Sequence, residues 1–162
     1  MPGHKLGKGI PARFLQNIAG MDVTEIPGLD NLHNARGVIR EAQELAASAF
    51  GADRTYFLVN GSTCGIQSMI LSLCREGDKI IVSRDCHKSV VDAMMLGGIT
   101  PVYIKPEYNS RFGIPGVINP DELETATRKN PDAKAVIMPR PSFYGVCSDI
   151  ERIAQIVHSH GM

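Results

Sequence analysis

Two short segments carry residue types that could do chemistry together. Asn60-Gly61-Ser62-Thr63-Cys64-Gly65 follows the apolar run Tyr56-Phe57-Leu58-Val59, and Arg84-Asp85-Cys86-His87-Lys88-Ser89 follows Ile80-Ile81-Val82. The first reads as a strand that ends in a small, hydroxyl-rich turn and runs into a helix. Such a turn directs free backbone N–H groups, two hydroxyls and the positive end of a helix dipole at one point, which suits a phosphate. In the second, an imidazole leaves the neighbouring strand at the same kind of edge, and the carboxyl ends of strands are where ligands sit in an open parallel sheet. A phosphate cradle beside a flat ring side chain suggests a phosphorylated aromatic cofactor. The loop lacks the Gly-x-x-x-x-Gly-Lys-Ser/Thr pattern, which argues against a nucleoside triphosphate.

The elements that must position these residues can be read from periodicity. Val38, Ile39, Ala42, Leu45, Ala46, Ala49 and Phe50 recur at helical spacing before Gly51, which predicts a helix with one buried face and a glycine C-terminal cap. Strands near 55–59, 79–83 and 101–104 then alternate with helices near 63–74 and 89–96. Asn119-Pro120-Asp121-Glu122 predicts a capped helix to about Arg128, Ala135-Val136-Ile137-Met138 a strand, and Ser148-Asp149-Ile150-Glu151 a capping box opening a helix to about His158. This alternation predicts an α/β fold with a mostly parallel sheet and helices on both faces. The first 35 residues, rich in Gly and Pro without a sustained period, read as an extended N-terminal arm, and 36–162 as the packed domain. The chain ends on a helix where a further strand is due, so it is expected to be a fragment of a larger domain.

Composition narrows the function classes. With 162 residues and 43% hydrophobic content the chain supports one core, and its 17 basic and 17 acidic side chains cancel, which removes the electrostatic signature of a nucleic-acid or anionic-membrane partner. No apolar stretch approaches the ~18 residues of a membrane span, and a cytoplasmic location is expected. Cys64, Cys74, Cys86 and Cys147 lack the close pairing of a zinc site and read as reduced packing residues. His158 and His160 have no evident third ligand, so no metal site is expected.

Several segments, in order along nearly the whole chain, resemble the Orn/Lys/Arg decarboxylase family. They are Pro2 to Lys5, Asp22 to His33, Glu41-Ala42-Gln43, Phe57 to Thr63, Arg84 to Ser89, Pro101-Val102-Tyr103 and Pro141-Ser142-Phe143-Tyr144-Gly145-Val146. The resemblance implies a pyridoxal-phosphate enzyme of the fold type I, aspartate aminotransferase-like class. The chain then corresponds to the first part of the cofactor-binding large domain and the arm that crosses a homodimer interface. It also implies that an aspartate facing the pyridine nitrogen and the lysine that joins the cofactor lie beyond Met162, so the isolated chain is expected to be inactive.

On this resemblance Gly61, Ser62 and Thr63 hold the cofactor phosphate, and His87 stacks on the pyridine ring as the chain's own catalytic candidate. The plain alternatives are an ordinary N-cap turn and a capping or surface histidine. Lys88 is not assigned to the cofactor, and Ser89 is expected to cap the helix that starts there. Ser142 and Tyr144 are expected near the cofactor from the edge of the same sheet. Asp22, Glu25, Asp30 and His33 are expected near a basic amino-acid substrate or the partner subunit, with turn chemistry as the alternative for Asp30. The expected reaction of the parent is decarboxylation of arginine, lysine or ornithine toward polyamines. The rivals are an inactive fragment or assembly module, and another reaction on the same fold, such as an aminotransferase or aldolase.

Overall fold

The computed structural model describes residues 11–15, 25–26 and 28–162. The chain divides into two units, Met1–Phe57 and Leu58–Met162. The sequence reading places the division near residue 35, whereas the structure groups the first long helix with the segment before it.

In the first unit a short helix, α1 (Ala12–Leu15), is followed by a 3-10 turn at Leu32–Asn34 and by α2 (Val38–Phe50). Asn31 caps the 3-10 turn, its Oδ1 accepting from His33 N at 2.8 Å. The start of α2 is organised by Asp30. One carboxylate oxygen accepts from the N–H groups of Asn31 and Arg36, and the other from those of Gly37 and Ile39, each at 2.9 Å. The Arg36 N–H, with those of Asn31, Gly37 and Ile39, holds this carboxyl well below the usual carboxylate range. The helix ends as expected on Gly51, left-handed at φ 65°, whose N–H bonds back to Ala47 and Ser48. The expected buried stripe differs: Ala47 is the buried residue of α2, while Val38, Leu45 and Phe50 are exposed. Periodicity marks an apolar face but does not supply a surface to cover it.

The second unit is a βα layer structure. Its strands are β1 (Lys79–Ser83), β2 (Thr100–Ile104), the short β3 (Tyr108–Asn109) and β4 (Ile114–Pro115), and β5 (Ala133–Ile137). Its helices are α3 (Gly61–Leu73), α4 (Lys88–Gly97), α5 (Pro120–Lys129) and α6 (Ile150–Ser159). A parallel sheet has the order β2-β1-β5, and β3 pairs with β4 as a separate antiparallel ribbon. Alternate residues of β1 feed two cores. Ile80 and Val82 pack with Ile70 and Cys74 of the α3 region and with Val90, Ala93 and Met94 of α4. Ile81 packs on the other face with Ile104, Leu123 of α5, and Ile153 and Val157 of α6. β5 carries an extra residue against β1, since Lys79 faces Ala133 while Ile81 faces Val136.

Three local expectations are corrected. Residues 55–59 form no strand: among the described residues nothing pairs with them, and Tyr56 to Val59 stay exposed. An apolar run signals a demand for burial, but a ladder needs a neighbour. Asp149, not Ser148, caps α6, accepting from Arg152 N at 3.1 Å. Ser148 is instead buried, and its hydroxyl accepts from Ile118 N at 2.9 Å across 30 residues of chain. Cys147, expected to pack, is exposed, whereas Cys74 is buried.

Two stability tests follow from these bonds. Ser148→Ala strands the buried Ile118 N–H and should lower unfolding free energy by about 1–3 kcal/mol, measured by denaturant titration; an unchanged midpoint would contradict the assigned bond. Asp30→Ala should speed amide exchange at Arg36, Gly37 and Ile39 at neutral pH. Because the folded carboxyl titrates below its unfolded value, the wild-type protection factors should be full above about pH 4 and fall as the pH drops further. Protection that is independent of pH down to pH 2 would contradict the role given to Asp30.

Candidate functional site

The chain reverses tightly between α3 and β1, with Cys74 N bonded to Ile70 O and Asp78 N to Arg75 O. α3 therefore runs antiparallel to β1 and starts at the end of the sheet where β1 finishes. Ile66, near the start of α3, and Cys86, just beyond β1, pack against the same core cluster, which fixes that arrangement. The first turns of α3 and α4 thus lie at one edge.

The two turns differ in how their orphan N–H groups are satisfied. α4 is capped by His87, whose Nδ1 accepts from Ser89 N at 3.1 Å and lies 2.8 Å from Ser89 Oγ. Ser89 is therefore not the cap, as expected from the sequence, but the residue that the cap holds. α5 is capped by Asn119, accepting from Asp121 N at 2.9 Å, and α6 by Asp149. α3 has no such acceptor. Its N-cap, Asn60, is left-handed at φ 65° and makes no side-chain bond to the helix, and Gly61 follows at φ 72°. Gly61, Ser62 and Thr63 are all exposed there. The left-handed Asn-Gly pair leaves the N–H groups of the first turn without a side-chain cap, with two exposed hydroxyls beside them. That donor set, without an internal acceptor from the cap, fits an anionic oxygen group such as a phosphate. Gly65, one turn on, is where Leu58 lies against the helix; a Cβ at this position would collide with the Leu58 side chain.

Beyond β1 a cavity of about 460 Å³ is lined by Asp85, His87, Lys88, Pro139, Ser142 and Phe143, among others. The structure thus brings together His87 and Ser142, two of the expected site residues. Ser83, fully buried at the end of β1, donates its hydroxyl to Asp85 Oδ1 and so fixes the carboxylate on the cavity wall. Neither Ser83 nor Asp85 stood out as a site residue in the sequence, although a serine closing an otherwise apolar strand is a visible signal. Burial, followed by the Asp85 charge, pushes the Cys86 thiol up, so it remains a protonated packing group. Ser142 is 8% exposed, and its Oγ accepts from Val146 N at 3.3 Å while its carbonyl accepts from Gly145 N. Its hydroxyl oxygen therefore holds the 142–146 turn. Tyr144 stands half-exposed, edge-on to Phe143 at 5.2 Å between ring centroids, and is not among the residues lining the cavity.

The remaining expected residues belong to the first unit. Asp22 lies outside the described residues, as does the segment Pro2 to Lys5. Glu25 and His33 are exposed, and the carboxylate of Asp30 is engaged by backbone N–H groups, the turn role that its sequence context allows. A second cavity, of about 480 Å³, opens in this unit beside Arg40, Glu44, Asp53 and Arg54, with Arg40 Nε paired to Glu44 at 2.8 Å. No helix among the described residues is long and apolar enough to cross a membrane.

The chain is 39% identical over 164 residues to an arginine decarboxylase of Bacillus cereus, a match that covers 99% of this chain and 36% of that protein. The chain thus spans about a third of the length of such relatives. Among solved structures, lysine decarboxylase A from Pseudomonas aeruginosa superposes with a TM-score of 0.72 at 30% identity, over 83% of this chain and 20% of that one. An aspartate aminotransferase variant of Thermus thermophilus shares the fold, with a TM-score of 0.68 at 19% identity, over 90% of this chain and 39% of that one. The family description "Orn/Lys/Arg decarboxylase, major domain" matches residues 1–162, and the chain belongs to that family.

Proposed function

We propose that the protein carrying this chain is a pyridoxal-phosphate-dependent decarboxylase of a basic amino acid: arginine, lysine or ornithine. The observation that carries the reading is the open first turn of α3, set at the same sheet edge as His87, in a unit whose other helices of comparable length are each capped by their own side chains. Membership of the family supports a decarboxylase over an aminotransferase or aldolase, which share the fold alone.

In this reading the backbone N–H groups of the α3 first turn and the hydroxyls of Ser62 and Thr63 bind the cofactor phosphate. Charge-assisted bonds of this kind are roughly twice as strong as neutral ones. Gly61 and Asn60 shape the turn so that no side chain competes for those donors. His87 would lie against the face of the cofactor ring, and Phe143, Pro139 and Pro141 line the apolar side of the cavity. Asp85 places a carboxylate on the cavity wall, held by Ser83. When bound, the cofactor supplies the electron sink that makes loss of the α-carboxylate feasible. The chain's residues supply orientation and electrostatics.

Homodimer or larger assembly, a polyamine-forming role and a cytoplasmic setting belong to the same proposal. Exposed Val38, Leu45 and Phe50 on α2 support burial of that face against another surface. The free thiols of Cys74 and Cys86 suit a reducing compartment.

The test uses the intact protein. Ser62→Ala and Thr63→Ala should each speed cofactor dissociation by roughly tenfold to a hundredfold, the loss of one hydrogen bond to a charged group, read by dialysis and cofactor absorbance. His87→Ala should reduce turnover more than cofactor occupancy, because it leaves the phosphate held. Dissociation unchanged in the Ser62→Ala, Thr63→Ala double variant would overturn the assignment of the phosphate site.

A further inference from the structure

The bonds at the start of α4 fix more than a cap. Ser89 is 1% exposed, and its hydroxyl has His87 Nδ1 as its hydrogen-bond partner at 2.8 Å. The Ser89 backbone N–H points at the same nitrogen from 3.1 Å. An amide N–H can only donate, so Nδ1 must offer its lone pair, and a proton on Nδ1 would face the amide proton head-on. The hydroxyl, which can donate to a bare Nδ1 or accept from Nδ1–H, anchors the ring in place, and the amide N–H makes the choice of tautomer. In the neutral ring the remaining proton is forced onto Nε2, the nitrogen on the far side from Ser89.

From this arrangement we infer that Ser89 is a positioning residue that locks His87 in the Nε2–H tautomer, so that the ring meets a ligand in the adjoining cavity as a hydrogen-bond donor to an anionic oxygen. The inference rests on the proposed function only in placing His87 against a ligand; the position of the ring proton is a property of this chain. Two consequences follow. His87 orients a carboxylate oxygen through Nε2–H, and as the neutral ring it does not take a proton at that nitrogen. Its ring plane is also held from behind by two bonds to one buried residue, which suits a side chain that must lie flat against an aromatic ligand. Ser89 does this without touching the ligand.

The test is the ring-nitrogen spectrum of His87 in the intact protein labelled with 15N-histidine, recorded above pH 8 with the His87 signals identified by their loss in His87→Gln. The expected wild-type spectrum shows Nε2 protonated and Nδ1 bare. Ser89→Pro, at a first-turn position where proline is tolerated, removes the backbone N–H and should raise the Nδ1–H fraction about fivefold, the weight of one ordinary hydrogen bond. Ser89→Ala, which keeps the N–H and loses only the hydroxyl, should retain the wild-type ratio. A wild-type ring protonated on Nδ1 would overturn the inference, as would a Ser89→Pro ratio equal to wild type. Pyridoxal phosphate retention, measured on the same samples, separates the two claims. A wild-type Nε2–H ring in a protein that holds no cofactor would count against the proposed function and leave the role of Ser89 standing.

Discussion

The burial of β1 on both faces is the constraint from which the site follows. Ile80, Ile81 and Val82 are all fully buried, and successive strand residues point to opposite faces. One face must therefore receive α3 and α4 and the other α5 and α6. Once α3 and α4 are both committed to the Ile80 and Val82 face, their first turns have no choice but to meet at the carboxyl end of β1. The chemistry is then a matter of which residues occupy those turns. His87 and Asp85 stand within a few residues of the strand that aims them, and Pro139 to Phe143, just beyond the neighbouring β5, complete the cavity.

The distribution of helix caps gives that edge its character. Every helix exposes N–H groups at its start, and in this chain they are mostly satisfied from within: by His87, Asn119 and Asp149 in the second unit, and by Asp30 in the first. The open start of α3 is thus a departure from the chain's own habit. Its left-handed Asn60 and Gly61 reinforce the departure, because residues in that conformation place the backbone, and not a side chain, at the point of contact. The Asp30 cap is its electrostatic counterpart: a carboxylate that gathers four N–H groups of its own backbone.

Much of this was legible in the residues. The strand and helix alternation, the Asn119-Pro120-Asp121 start of α5 and the Gly51 end of α2 each rest on local chemistry, and the structure has them where that chemistry requires. The Ser62-Thr63 turn and His87 were legible as candidates for the same reason. What was not legible depends on partners distant in sequence. Ser148 reads as a cap until Ile118, 30 residues away, takes its hydroxyl. Asp30 reads as a substrate or interface candidate with turn chemistry as the alternative, and its bond to an N–H nine residues later leaves no local trace. Ser89 reads as a better cap than His87, and only the ring's rotamer reverses that order. The run at 55–59 reads as a strand because apolar content reports burial and not pairing.

The first turn of α3 is where a bound phosphate would be felt most directly. Hydrogen exchange of the intact protein, with cofactor removed and then restored with pyridoxal phosphate, reads that turn directly. Amides in the segment 60–66 should slow markedly when pyridoxal phosphate is added, while those in the first turn of α5, already capped by Asn119, should not change. Slowing that spares 60–66 and appears elsewhere in the chain would contradict the assignment.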